Sequence, residues 1–144
     1  MENDEDPELP PRKVEYLKFL YMKGGKVRTS EISREFSVDP STITKTMQEL
    51  SVAGLLIYKP YHGIRLTDRG RRYAAFLIKR HRILSLVLTH YGLTHDQACT
   101  EASRFESMVS RAAIDRICAS MGHPGQGVCG EITHDEGCLD QEPV

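Results

Sequence analysis

Thr29-Ser-Glu-Ile-Ser-Arg-Glu-Phe-Ser-Val-Asp-Pro-Ser-Thr-Ile-Thr-Lys-Thr-Met-Gln-Glu-Leu50, then Leu55-Leu-Ile-Tyr58, Lys59-Pro-Tyr-His-Gly63 and Ile64-Arg-Leu-Thr67, is the stretch whose reading decides the fold. Ile32 and Phe36 lie at helical spacing, so Ser30 to Phe36 reads as a short helix. Asp39-Pro40 opens a second one: Asp can cap the free amides and Pro suits the first turn. Ile43, Met47 and Leu50 form its inward stripe and Gly54 closes it. Two short apolar strands around a Pro/Gly turn follow. Helix–turn–helix followed by a two-stranded hairpin is a winged helix, an arrangement that presents one helix to the major groove of DNA and a basic wing to the flanking backbone.

On the N-terminal side, Val14, Leu17, Leu20 and Tyr21 make Arg12 to Lys23 an amphipathic helix ended by Gly24-Gly25. Met1 to Pro11, acidic and with three prolines, reads as a disordered tail. On the C-terminal side, Thr67 caps a long helix. Its pattern of Ala74, Leu77, Ile78, His81, Ile83, Leu84, Val87 and Leu88 runs to about Tyr91, where Gly92 stops it. Such a helix, roughly 24 residues and ~36 Å, is longer than one small domain needs and reads as a connector into a second helical unit. Thr94 to Met108 and Ser110 to Met121 are two further predicted helices. The remainder, rich in Gly and acids, has no apolar period and reads as a flexible tail. The expected organisation is therefore a tail (1–11), a winged helix (12–72), a helical domain (73–122) and a Cys/His-containing tail (123–144). The fold class is mainly α.

The 144 residues carry a net charge of −1, unevenly spread. Residues 12–82 hold sixteen Lys or Arg against six Asp or Glu, whereas residues 83–144 hold three against nine. The basic block coincides with the winged helix, the electrostatic footprint of a phosphate-binding module. No apolar run approaches the roughly 18 residues of a membrane span, and the acidic start is no signal peptide. A cytoplasmic protein without a membrane partner is expected, with its four cysteines reduced or metal-bound. No Gly-rich nucleotide loop and no nucleophile with a base at an interpretable spacing is present, so neither an enzyme nor a small organic substrate is expected.

The residues placed to read double-stranded DNA are Ser41, Thr42, Thr44, Lys45 and Gln48 on the second helix of the motif, where hydroxyls, a methyl group, an amide and an ammonium suit base edges and phosphates. Arg28 and Thr29 stand at the motif's entry, and Lys59, Tyr61, His62 and Arg65 on the wing. Toward the C-terminus, Cys118, His123, Cys129, His134 and Cys138 are separated by four, five, four and three residues. Four such groups can close a tetrahedral Zn²⁺ or Fe²⁺ site, although no C-x₂-C pair marks a standard zinc motif.

Val14-Glu-Tyr-Leu-Lys-Phe-Leu-Tyr21, Ser41-Thr-Ile-Thr-Lys45, Leu55-Leu-Ile-Tyr58, Gly63-Ile-Arg-Leu-Thr67, Gly70 and Lys79-Arg-His-Arg82 together resemble the metal-dependent repressors of the diphtheria toxin repressor and manganese transport regulator family. The resemblance covers about residues 12–124 and looks like the short form without an SH3-like domain. It implies an all-helical dimerisation domain after the wing, a homodimer on a palindromic operator, and a divalent transition metal (Fe²⁺, Mn²⁺ or Zn²⁺) as co-repressor. It also implies metal ligands at Glu15, His81 and Glu106, with Cys99 where an ancillary site has His. Ser103, Ser107, Ser85 and Lys18 stand where the family has ligands. This substitution pattern predicts a softer site that includes Cys99 and favours Fe²⁺, Zn²⁺ or Co²⁺ over Mn²⁺. The alternative is a regulator of the same fold that senses thiol oxidation through its cysteines.

Overall fold

Three helices and a hairpin build the N-terminal unit, Leu9–Ala75, of this computed structural model, which describes residues 6–141. Helix α1 spans Pro11–Lys23, α2 Thr29–Phe36 and α3 Pro40–Val52. The strands β1 (Leu56–Lys59) and β2 (Gly63–Leu66) pair antiparallel with Leu56 opposite Leu66 and Lys59 opposite Gly63. The core is the stripe read from the periodicity: Leu17, Ile32, Ile43, Met47, Leu55 and Ile64 are all fully buried. Each such side chain contributes about 1.5–3 kcal/mol by leaving water. Tyr16 and Phe19 of α1 close on Phe36 edge-to-face, at ring centroid distances of 4.9 and 5.6 Å.

Local chemistry sets the boundaries. Asp39 Oδ1 accepts from Ser41 N at 2.8 Å, capping α3 as expected, and the Ser41 contacts hold its carboxyl below the usual range. Glu31 reaches back to accept from Arg28 N at 2.7 Å. Thr67 Oγ1 accepts from Gly70 N at 3.0 Å and donates to Gly54 O at 2.7 Å, so one hydroxyl ties the hairpin's exit to the end of α3. Gly70 admits no substitute, because a Cβ there would stand 1.7 Å from Leu55 O.

The wing has a partner that periodicity did not disclose. Val27 N donates to Ile64 O and Ile64 N to Val27 O, both at 2.8 Å, so the α1–α2 connection adds a bridge alongside β2. At the wing tip His62 N donates to Lys59 O at 3.0 Å across Pro60-Tyr61. Tyr61 takes a φ of 67°, costly for a non-glycine residue, and projects fully into solvent.

Helix α4, Asp68–His90, leaves this unit and enters the second, which comprises the residues from Phe76 on and those before Leu9. There α5 (His95–Phe105), a 3₁₀ turn (Glu106–Met108) and α6 (Arg111–Ser120) follow. The single helix expected over Thr94–Met108 is thus broken: the chain changes to 3₁₀ pitch after Phe105, whose φ of −128° is not helical. The core here includes Leu77, Ile83, Ala98, Ala102 and Ile114.

The described residues 6–10 and 123–141 are more ordered than the sequence suggests. Of the acidic segment 1–11, residues 1–5 lie outside the described residues, and α1 already begins at Pro11. Asp6 is gripped by Arg111 through two bonds of 2.5 and 2.9 Å, with the guanidinium lying 4.1 Å from the Phe76 ring centroid. The segment from residue 123, expected to be flexible, is folded through Gln141. It carries the bridge Gln126–Glu131, the short helix α7 (Glu136–Leu139), and the buried side chains Ile132 and Cys138. Its lack of apolar period is real, and its order comes from polar anchors instead. Arg82 donates to Glu131 O, and the loop passes so close to this guanidinium that a Cβ on Gly130 would stand 2.7 Å from it.

Candidate DNA interface and metal centres

Ser41, Thr42, Lys45 and Gln48 are exposed on α3, opposite the buried Ile43, Met47 and Leu50. Thr44 is half-buried and its hydroxyl donates to Pro40 O at 3.0 Å, leaving only its oxygen lone pairs and methyl group for a base. Arg28, Lys59, Tyr61, His62 and Arg65 are exposed, and Thr29 is half-buried. Lys26 escaped the sequence reading. It lines one groove with Lys59, His62 and Arg65, because the Val27–Ile64 bridge brings the α1–α2 connection to the wing. Arg69, by contrast, is committed to the fold: its Nη1 donates to Ala53 O at 2.7 Å, satisfying the end of α3.

The second unit gathers its sulfur and imidazole groups into two clusters. In the first, ligand atoms of His81 (α4), Cys99 (α5) and Cys129 (the C-terminal loop) lie within 4.8 Å of one another. Glu106 Oε2 stands 2.6 Å from His81 Nδ1, both side chains being largely buried. A carboxylate on one ring nitrogen orients an imidazole and leaves the other nitrogen for a ligand role, the arrangement common around metal-bound histidines. Burial first, and then the neighbouring Cys129, push the Cys99 thiol up. Ser85 and Ser103 have turned inward onto their own helices: Ser85 Oγ donates to His81 O at 2.8 Å and Ser103 Oγ to Cys99 O at 2.9 Å. Glu15 is on the exposed face of α1 in the N-terminal unit, with Arg12 at 3.5 Å. A donor set of one imidazole and two thiols fits a borderline or soft dication such as Fe²⁺, Zn²⁺ or Co²⁺.

The second cluster holds Cys118, His123, His134 and Cys138. The sequence grouped five residues here, and the structure unites four of them and sends Cys129 to the first cluster. Cys118 arrives on the last turn of α6. That helix ends in a Schellman turn, with His123 N donating to Cys118 O at 2.9 Å and Gly122 N to Ala119 O at 3.0 Å, which folds His123 back over Cys118. Cys138 is set by Asp135, whose Oδ1 accepts from Cys138 N at 2.8 Å at the start of α7. Cys118 Sγ lies 3.5 Å from His123 Nδ1 and 3.4 Å from His134 Nδ1, while Cys138 Sγ lies 3.6 and 3.9 Å from the same two nitrogens. Burial pushes the Cys118 thiol up to about 12 and holds the His134 imidazolium form down. Neither cysteine forms a disulfide.

A winged helix with an exposed hydroxyl- and lysine-bearing helix, joined to a helical unit that collects thiols and imidazoles, defines a metal-responsive DNA-binding regulator. The family described as iron dependent repressor, N-terminal DNA binding domain, matches residues 8–64, and its metal binding and dimerisation domain matches residues 67–133. The HTH-type transcriptional regulator MntR of Lysinibacillus sphaericus is 33% identical over 104 residues, 72% of this chain and 75% of that protein. Among solved structures, a hypothetical protein of Sulfolobus solfataricus superposes with a TM-score of 0.77 at 26% identity, over 88% of this chain and all of the other. ScaR with bound Zn²⁺ superposes with a TM-score of 0.70 at 30% identity, over 86% of this chain and 63% of that one. The chain belongs to this family of metal-dependent transcriptional repressors, which are DNA-binding proteins and not enzymes. Among the described residues no helix is long and apolar enough to cross a membrane.

Proposed function

We propose that this chain acts as a homodimer on a palindromic operator, its affinity set by a divalent ion held by His81, Cys99 and Cys129. The observation that carries this reading is the convergence of these three side chains from α4, α5 and the C-terminal loop to within 4.8 Å. Bound there, an ion supplies positive charge that stabilises two thiolates and links three elements of the helical unit. Glu106 holds the His81 ring in one orientation, and Ser85 and Ser103 brace the backbone of the helices that carry His81 and Cys99. Glu15 and Glu106, expected as ligands, take no place in the three-group set. Glu106 acts through His81 instead.

Support for self-association comes from Tyr91, Phe105 and Met108, large apolar side chains left exposed on the helical unit, Tyr91 by 81% and Met108 by 86%. On DNA, Ser41, Thr42, Lys45 and Gln48 face bases, while Lys26, Arg28, Lys59, His62 and Arg65 meet phosphates. A cytoplasmic location is part of the same reading, since the thiols must stay reduced to bind an ion.

Operator mobility shifts with chelator, with Fe²⁺, Zn²⁺ or Mn²⁺, and with Cys99→Ala and Cys129→Ser test it. Binding is expected only with metal, with both substitutions abolishing the response. Tight Mn²⁺-dependent binding that survives Cys99→Ala would refute the site. The thiol-redox reading draws on the approach of the Cys99 and Cys129 sulfurs to within 4.8 Å of one another. Peroxide would convert the two thiols to a disulfide with release of two waters, and a shift that responds to peroxide but not to chelator would favour it.

A further inference from the structure

The four-residue cluster shares no side chain with the proposed regulatory site. Two cysteines and two histidines are brought together beneath a segment with little apolar surface, and none of the four bonds covalently to another. Each imidazole presents Nδ1 to both sulfurs. The opposite nitrogen faces a backbone carbonyl: His123 Nε2 is 3.0 Å from Gln141 O and His134 Nε2 is 2.9 Å from Pro124 O. A carbonyl only accepts, so both Nε2 atoms are placed to donate, and in the matching tautomer each Nδ1 turns a lone pair inward. Bare nitrogens and buried sulfurs converging on one point are the donor half of a coordination sphere.

The distances agree. A tetrahedral zinc with bonds of about 2.3 Å to sulfur and 2.0–2.1 Å to nitrogen places adjacent S and N ligands roughly 3.6 Å apart. The four S–N separations here run from 3.4 to 3.9 Å.

We infer that Cys118, His123, His134 and Cys138 form a closed structural Zn²⁺ site. All four positions are filled by the protein, as in structural rather than catalytic zinc centres. The ion binds as two thiols release their protons to solvent, giving a neutral Cys₂His₂ centre. It staples α6 to α7, and the chain between His123 and His134 becomes a loop clamped at both ends. Cys129 rides on that loop, which Arg82 grips at Glu131 O. The zinc site therefore presents Cys129 to the regulatory cluster without touching the regulatory ion.

Zinc content of the purified full-length protein, measured by elemental mass spectrometry after a mild EDTA wash, tests the assignment. One equivalent of zinc per chain is expected to remain in the wild type, in Cys99→Ala and in Cys129→Ser. It should be absent in Cys118→Ser and Cys138→Ser, lost in His134→Ala and restored in His134→Cys. Cobalt substituted for that zinc should show the intense visible bands of a tetrahedral, thiolate-bound ion. If the serine variants fail to fold, the wild type decides: a strong zinc chelator should expose Cys118 and Cys138 to alkylation. Zinc retained in Cys118→Ser or Cys138→Ser, zinc lost with Cys129→Ser alone, or alkylation unchanged by the chelator would overturn the site. Metal-dependent operator binding through His81 and Cys99 would stand or fall separately on its own mobility shifts.

Discussion

The winged helix and the segment from His123 to Gln141 are both folded, but their cohesion has different sources. The first closes over fully buried Leu17, Ile32, Ile43, Met47 and Ile64 and caps its helices with Asp39 and Thr67. The second buries few large apolar side chains, Ile132 among them, and relies on Arg82, Arg111 and a Cys/His cluster. A domain with an apolar core does not need a metal ion to hold together. A segment with almost none is expected to depend on ligands, as small metal-stapled domains do.

Stripping all metal should break the symmetry of order most visibly. Structural zinc in small domains is worth about 10–16 kcal/mol of apparent binding energy. Amide exchange across residues 123–141 is therefore expected to rise toward unprotected rates on chelation, while α1 to α3 keep their protection. Equal loosening of both regions would show that the tail's order is not metal-derived. Leu17→Ala probes the other side. It should cost about 2–5 kcal/mol in thermal or denaturant melts of the winged helix, with or without chelator. A loss that appears only in the apo protein would contradict the carbon-core account.

Smaller effects sharpen the picture within the DNA-reading surface. Lys45→Ala should weaken specific operator binding by about 1–3 kcal/mol if Lys45 pairs with a base, measured against a scrambled duplex. The same loss on both sequences would make it a phosphate contact. Arg65→Ala and Lys26→Ala should each lower the salt slope of binding by about one unit and barely change sequence preference. An unchanged slope for Lys26→Ala would remove that residue from the interface.

Much of the first region is legible in the sequence, because its signals are local. Asp39-Pro40 marks a helix start through chemistry confined to one turn, and the Ile43–Met47–Leu50 stripe lies within a single helix. Lys26 was not legible, since its role depends on a bridge between Val27 and Ile64. The metal residues were legible as an inventory only. His81 and Cys99, expected at one site, lie together, whereas Cys129, adjacent in sequence to the other cysteines and histidines of the C-terminal segment, lies with His81 and Cys99. Glu106, which the resemblance gives as a ligand, stands 2.6 Å from His81 Nδ1, and the family's ligand position at Glu15 falls on an exposed face beside Arg12.

The amino-acid sequence alone determined the order of elements, the caps and turn that make a winged helix, the basic character of that half, and the stock of thiols and imidazoles beyond it. Only the tertiary structure decided how that stock is divided into a closed set of four and an open set of three. Periodicity and capping act over one or two turns of chain, whereas a coordination set is a matter of separations of 3–4 Å between groups on different elements. A Schellman turn at His123 and the Asp135 cap set their own side chains locally, but the packing of the helices and the grip of Arg82 on the glycine loop bring those side chains to such separations.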